Sequence, residues 1–184
     1  MSGSEITIQA SDGGDFMGYL ATPDSGSGPG VVVIQEIFGV NDVMRGITDS
    51  FAVAGYVALC PDLFWRQEPG IILSDQSDEE WARAFELFNG FDLKMGVSDL
   101  AATISALSGL DSCSGKVGSV GFCLGGRLAY LTATRTDVDA AVGYYGVMLT
   151  EHLDEPINAP LILHMATEDE YVPKESQEEI KEAL

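Results

Sequence analysis

Basic residues are scarce in this chain. It has 9 lysines and arginines against 29 aspartates and glutamates, which gives a formal net charge of −20. A surface this acidic repels phosphate backbones and anionic headgroups, so nucleic acid and anionic membranes are excluded as partners. The excess indicates a solvated acidic surface, or one adapted to high salt, where counterions screen the repulsion.

Cysteine is rare as well, and long apolar runs are absent. Cys60, Cys113 and Cys123 form no C-x-x-C pair, which argues against a disulfide framework or a zinc site. The start, residues 1–5, has neither the basic nor the apolar part of a signal peptide. We therefore expect a cytoplasmic protein with no membrane span, no metal and no other cofactor, and we expect it to be a monomer.

The order of elements predicts an α/β fold. The chain has 184 residues and is 46% hydrophobic, which suits one domain over residues 1–184. Segments 5–10 and 16–21 flank a turn-forming stretch and predict an antiparallel hairpin, while the apolar run 31–34 predicts a strand covered on both faces. Together they predict a mostly parallel sheet with helices on both faces and an antiparallel N-terminal hairpin.

The rest of the chain alternates between helices and strands in the same way. Helices are predicted from about residue 42 to Gly55, over 78–88, 92–107 and 124–134, and from about Pro173. Strands are predicted over 56–60, 116–120, 140–144 and 161–165. Cys60 is then a core residue, and Cys113 falls in a turn over 111–115.

The most informative motif is Gly121-Phe122-Cys123-Leu124-Gly125, between a predicted strand and a predicted helix. It is a G-x-C-x-G nucleophile elbow, in which the flanking glycines remove side chains that would collide in a tight turn. The thiol lies at a helix N-terminus, where free amides and the helix dipole favour the thiolate. Serine is the usual residue there, so the chain either uses cysteine as its nucleophile or keeps the turn for packing.

Two carboxylates also follow strands of the predicted sheet. Glu36 follows the first parallel strand and Asp169 follows the last, and ligands bind beyond these strand ends. A nucleophile followed by an acid is the chain order of the α/β-hydrolase fold. The alternatives are that Glu36 caps a helix or pairs with Arg127, and that Asp169 stabilises a turn before Pro173.

Five segments carry a resemblance to a known family. They are residues 35–41, 61–66, 121–126, 142–146 and 164–173. In this combination and order they resemble the dienelactone hydrolase family, also called carboxymethylenebutenolidases, within the α/β-hydrolases. The resemblance implies a hydrolase that acts on a small-molecule ester or lactone.

The resemblance also implies roles for individual residues. Cys123 would be the nucleophile, Glu36 would help to remove the thiol proton when substrate binds, and Asp169 would orient a catalytic histidine. The backbone amides of Ile37 and Leu124 would hold the oxyanion.

Five side chains are expected to contact the substrate. Trp81 occupies the place of the family's substrate-binding arginine, and Arg83 comes two positions later, rotated by about 200° around the helix. Phe85 and Phe88 make the expected pocket more apolar than in the family, and Tyr145 completes the set. Aromatic residues at this helical spacing would alternatively be core residues.

Histidine departs from the family pattern. The chain contains only His152 and His164, and the family's catalytic histidine follows the acid by some tens of residues, after another helix and a final strand. We interpret His164 as structural and His152 as a surface residue. We therefore expect a C-terminal strand and the catalytic histidine to lie beyond Leu184, and residues 1–184 to have negligible turnover while Cys123 still alkylates.

Two other functions remain open. A redox or electrophile-sensing thiol would need Cys60 or Cys113 within about 6 Å of Cys123 between Cα atoms. A non-catalytic, ligand-binding α/β-hydrolase would lack a primed thiol. A primed Cys123 should alkylate well below about pH 8.5, the pKa of free cysteine.

Overall fold

The computed structural model describes residues 3–184, so Met1 and Ser2, at the start of the predicted domain, lie outside the described residues. Within this range the strands are β1 (Ser4–Gln9), β2 (Asp15–Ala21), β3 (Gly28–Ile34), β4 (Val57–Pro61), β5 (Cys113–Phe122), β6 (Ala140–Tyr144) and β7 (Leu161–His164). The helices are α1 (Asp42–Val53), α2 (Asp78–Asn89), α3 (Leu93–Ser108), α4 (Leu124–Arg135) and α5 (Lys174–Ala183), with a short 3-10 helix over Leu149–His152.

The strands form one sheet in the order β1-β2-β4-β3-β5-β6-β7. β1 and β2 form the predicted antiparallel hairpin, and β2 runs antiparallel to β4. The pairs from β4 to β7 are all parallel. This topology confirms the predicted α/β fold, and it brings the carboxyl ends of β3, β5, β6 and β7 to one edge.

The apolar run in β3 is explained by its position between two helical layers. Val31 and Val33 pack toward α1 in a cluster that includes Met44. Val32 and Ile34 face the other side, in the larger core that contains the buried residues of α3 and α4. All four β3 side chains are buried, and each contributes roughly 1.5–3 kcal/mol by leaving water.

Two strands begin earlier than predicted. β3 begins at Gly28 and β5 at Cys113, and these two residues pair across the parallel ladder. The Gly28 amide also donates to the Ser112 carbonyl at 3.0 Å. The prediction of a turn at Cys113 is therefore wrong, because pairing with β3 outweighs the turn-forming composition of that segment. The other predicted elements agree closely with the structure.

Each helix within residues 3–184 is too short or too polar to cross a bilayer. The single domain, the monomeric state and the cytoplasmic location stay predictions.

Candidate active site

Three residues that follow neighbouring strands meet at the carboxyl edge of the sheet. Glu36 follows β3, Cys123 follows β5 and Tyr145 follows β6, and β5 lies between the other two strands. The Tyr145 hydroxyl donates to Glu36 Oε1 at 3.2 Å. Cys123 and Tyr145 both have positive φ, 55° and 39°. For residues other than glycine this backbone is strained, by about 1–3 kcal/mol each, and such strain clusters at functional sites.

The turn at Cys123 has the geometry that the motif predicts. β5 ends at Phe122 and α4 begins at Leu124, so the cysteine is the single residue between strand and helix. A Cβ on Gly121 would lie 1.9 Å from the Gly125 carbonyl oxygen, and one on Gly125 would lie 2.3 Å from the Ile34 carbonyl oxygen. Both glycines are therefore needed for the close approach of α4 to the sheet.

Cys123 opens onto a cavity of about 320 Å³. Its lining residues are Glu36, Ile37, Phe38, Trp81, Phe85, Phe88, Cys123, Tyr145, Val147, Met148 and Tyr171. Four of the five expected substrate contacts, Trp81, Phe85, Phe88 and Tyr145, thus lie in one cavity with the thiol. Trp81 and Phe88 also pack against the main core, so the core interpretation holds in part for these two.

Arg83 is not brought to the cavity. Its guanidinium pairs with Glu68 at 2.5 Å and with Glu86, on a different side of α2 from Trp81 and Phe85. The rotation of about 200° between Trp81 and Arg83 explains this. The expectation that Arg83 contacts the substrate is therefore not supported by its position.

Glu36 is half-buried beside the thiol and makes no pair with Arg127. Arg127 instead donates to Glu151 at 2.5 Å and to His152 Nε2 at 3.1 Å. Burial raises the pKa of the Glu36 carboxyl, the Tyr145 hydroxyl lowers that pKa by its hydrogen bond, and the charge of Asp75 raises it. Pairing with Arg127, one of the two alternatives for Glu36, is thus wrong, and the side chain that caps the nearby helix α1 is that of Asn41.

The resting thiol is protonated, contrary to the expectation of a primed thiolate. Burial, opposed by the hydrogen bond from the Leu124 amide and reinforced by the charges of Glu36 and Asp169, raises the pKa of Cys123 to about 11. One amide at the start of α4 is outweighed by removal from water and two carboxylates. A nucleophilic Cys123 would therefore have to lose its proton when a substrate binds.

Replacing Glu36 by glutamine should lower the apparent pKa of Cys123, because a like charge beside the thiolate is removed. We expect a decrease of about 1. At about pH 8 the thiolate fraction then rises about tenfold, and the lower basicity of the thiolate reduces the net gain in iodoacetamide alkylation to about threefold. The pH profile of alkylation measures this shift. Glu68→Gln, which removes a carboxylate outside the cavity, is the control, and an unchanged or higher pKa in Glu36→Gln would contradict the assignment.

Asp169 lies near the thiol but is also a turn residue. Its Oδ1 accepts from the backbone amides of Tyr171 at 2.9 Å and Val172 at 3.2 Å, which agrees with the turn interpretation. Its charge nevertheless raises the pKa of Cys123. Asp169 can therefore stabilise a cation beside the thiol while its loop stays ordered.

The two histidines make other contacts. His152 is buried, with Nε2 beside Arg127 and Nδ1 3.3 Å from Glu155, so its prediction as a surface residue is wrong. Its burial is explained by α5, which contacts the 3-10 helix, and by Arg127 and Tyr130 of α4, which donate to its ring and its carbonyl. The His164 ring stacks on Tyr144 with a centroid distance of 4.5 Å. Within residues 3–184 neither histidine hydrogen-bonds to Cys123 or Asp169.

Sequence reasoning missed four lining residues: Phe38, Val147, Met148 and Tyr171. Each lies a few residues after a residue that was assigned, in the loops that follow β3, β6 and β7. Proximity to a strand end would have found them. The remaining predicted residues, Ile37 and Leu124, are both buried here: Ile37 lines the cavity, and Leu124 directs its amide toward the thiol.

Neither of the other cysteines lies near Cys123. Cys113 begins β5, roughly 30 Å away along the strand. Cys60 is fully buried in β4, which is two strands from β5, so it is at least about 10 Å away. Both separations exceed the reach of a disulfide, about 7 Å between Cα atoms. The redox alternative therefore has no resolving thiol within the described residues.

The sheet order, the strained turn after β5 and the acids after β3 and β7 define an α/β-hydrolase. The family model described as the dienelactone hydrolase family matches residues 16–184. A carboxymethylenebutenolidase of Pseudomonas putida is 42% identical over 181 residues, which cover 97% of this chain and 77% of that protein. The chain therefore belongs to the dienelactone hydrolase family, a family of lactone hydrolases.

Two further relatives agree with this assignment. A candidate carboxymethylenebutenolidase of Azospirillum brasilense is 45% identical over 185 residues, covering 98% of this chain and 79% of that protein. A solved structure of a candidate dienelactone hydrolase from Klebsiella pneumoniae matches with a TM-score of 0.85 at 26% identity, covering 98% of this chain and 79% of that one.

Proposed function

We propose that the chain attacks carboxylic esters or lactones through Cys123 and forms an acyl-thioester. The observation that carries this proposal is the position of Cys123, held at φ 55° between β5 and α4 and open to a cavity of about 320 Å³. A core cysteine kept only for packing has no need of either feature.

The neighbouring groups have the chemistry that the first step requires. As Sγ bonds to the substrate carbonyl carbon, the thiol proton passes to Glu36, whose pKa burial has already raised. The amides of Leu124 and Ile37 stabilise the negative oxygen. When the carbon–oxygen bond to the leaving alcohol breaks, the proton on Glu36 returns to that oxygen, and an acylated Cys123 remains.

Hydrolysis of the acyl-thioester needs a base that activates water. His152 is held by Arg127 and Glu155, and His164 stacks on Tyr144. A histidine oriented by Asp169 would therefore have to come from outside these 184 residues. We propose that the chain alone acylates much faster than it deacylates.

A burst experiment with p-nitrophenyl acetate tests this function. We expect rapid release of about one equivalent of p-nitrophenol per chain, followed by very slow turnover, because acylation proceeds and deacylation stalls. A lactone of similar size should acylate the same thiol without releasing a separate product. If no burst occurs and the thiol stays free, the non-catalytic, ligand-binding alternative is supported instead.

A further inference from the structure

The cavity beside Cys123 carries a charge of one sign only. Of the described residues that line it, Glu36 is the one charged side chain, and none is lysine, arginine or histidine. Two more carboxylates act on it from nearby, since Asp75 raises the pKa of Glu36 and Asp169 raises that of Cys123. A second negative charge brought in by a substrate would be repelled here.

One wall of the cavity is a flat aromatic surface. Trp81 and Phe85, one turn apart on α2, stack with centroids 5.6 Å apart and planes 30° apart. Phe38 packs edge-on against Trp81 at 4.9 Å. The Trp81 indole nitrogen donates to the Asp75 carbonyl at 3.1 Å. The tryptophan's polar atom is thus already bonded, and the wall suits a neutral ring.

Two arginines on helices that carry residues of the site, α2 and α4, are already paired. Arg83 pairs with Glu68 and Glu86 on another side of α2. Arg127 lines an adjoining hollow that shares Phe88 and Met148 with the cavity. It is 8% exposed and is held by Glu151 and His152. A substrate anion would have to break one of these pairs to gain a cation.

We infer that this site selects uncharged esters and lactones that bear a flat ring, and that it discriminates against substrates that carry a carboxylate. The inference rests on the proposed function for its chemistry, but the charge selection rests only on the described residues that line the cavity. Phe85 lies on the open rim of the cavity and is 37% exposed. A cation placed at this position should therefore change the specificity.

A pair of alkylating agents tests the charge selection without any need for hydrolysis. Iodoacetamide and iodoacetate react by the same step, in which the thiolate displaces iodide. They differ in charge, because iodoacetamide is neutral and iodoacetate is an anion. Trypsin separates Cys123, in residues 117–127, from Cys113, in residues 95–116. At about 0.5 M salt, where the screening length falls to about 4 Å, the general repulsion from the acidic surface is reduced.

We expect the iodoacetamide-to-iodoacetate rate ratio at Cys123 to exceed the ratio at Cys113 by at least about tenfold. Equal ratios at the two thiols would overturn the inference.

A matched pair of aryl esters extends the test to substrates. The 4-carbamoylbenzoate and 4-carboxybenzoate esters of p-nitrophenol have nearly the same size and differ in one charge. We expect the carbamoyl ester to acylate Cys123 at least about tenfold faster. If both esters acylate at one rate, charge selection fails and the proposed function stands. If neither acylates while the alkylation ratio is large, the proposed function fails and charge selection stands.

Phe85→Arg should abolish the preference, because it places a cation at the rim of the cavity. We expect the carbamoyl-to-carboxy rate ratio to fall at least about tenfold. Phe85→Gln controls for loss of the ring, and Ala82→Arg, at an exposed position on the same helix that does not line the cavity, controls for added charge. An equal change in Ala82→Arg would contradict the assignment.

Discussion

Cys123→Ala should lower the rate of acylation by p-nitrophenyl acetate by a factor of at least about 10³. The sulfur is the atom that bonds to the carbonyl carbon, and alanine offers nothing in its place. The alanine variant would keep the backbone amides and the cavity, so binding alone remains. Nitrophenol release in the first turnover, measured by absorbance, checks this loss.

Cys113→Ala is the matched control for this result. Cys113 is partly exposed and begins the same strand, roughly 30 Å from Cys123. The Cys113→Ala variant should keep the full burst of nitrophenol release. Retention of more than about a tenth of the burst rate in Cys123→Ala would remove the proposed nucleophile.

Gly121→Ala should prevent stable folding, with a loss in the free energy of unfolding above about 4 kcal/mol. The new methyl carbon would lie 1.9 Å from the Gly125 carbonyl oxygen and 2.3 Å from its carbon. These are backbone atoms of α4, so relief requires the helix to move off the sheet. Denaturant unfolding followed by circular dichroism measures the change.

Gly46→Ala is the control for the chemical change itself. Gly46 lies within α1, and no heavy atom comes within 4 Å of a Cβ placed there. Alanine is the better helix former, so this variant should gain about 0.5–1 kcal/mol. If Gly121→Ala is as stable as the parent chain, the tight strand-to-helix approach that shapes the elbow is absent.

Local sequence signals were sufficient for most of the fold and for the centre of the site. The run 31–34 and the elbow at Cys123 are contiguous patterns, so they predict the strand and the turn without tertiary knowledge. The grouping of Glu36 with Cys123 followed from strand ends sharing one edge. Pairing across the sheet is a tertiary effect, which is why the turn predicted at Cys113 is wrong.

The electrostatics of the site could not be predicted in the same way. The helix N-terminus at Leu124 is visible in the sequence and favours a thiolate. The burial that raises the pKa of Cys123 to about 11 depends on residues far apart in the chain. The burial of His152 beside Arg127 is likewise a contact between separate elements.

Locating the acyl group tests the central claim most directly. The chain is reacted briefly with p-nitrophenyl acetate, digested with trypsin and examined by mass spectrometry, with each cysteine on a separate peptide. We expect the acetyl group on Cys123, within residues 117–127. We also expect that treating the native chain with iodoacetamide first prevents acetylation of that thiol. An acetyl group confined to Cys113 or to lysines, with Cys123 unmodified, would contradict the account.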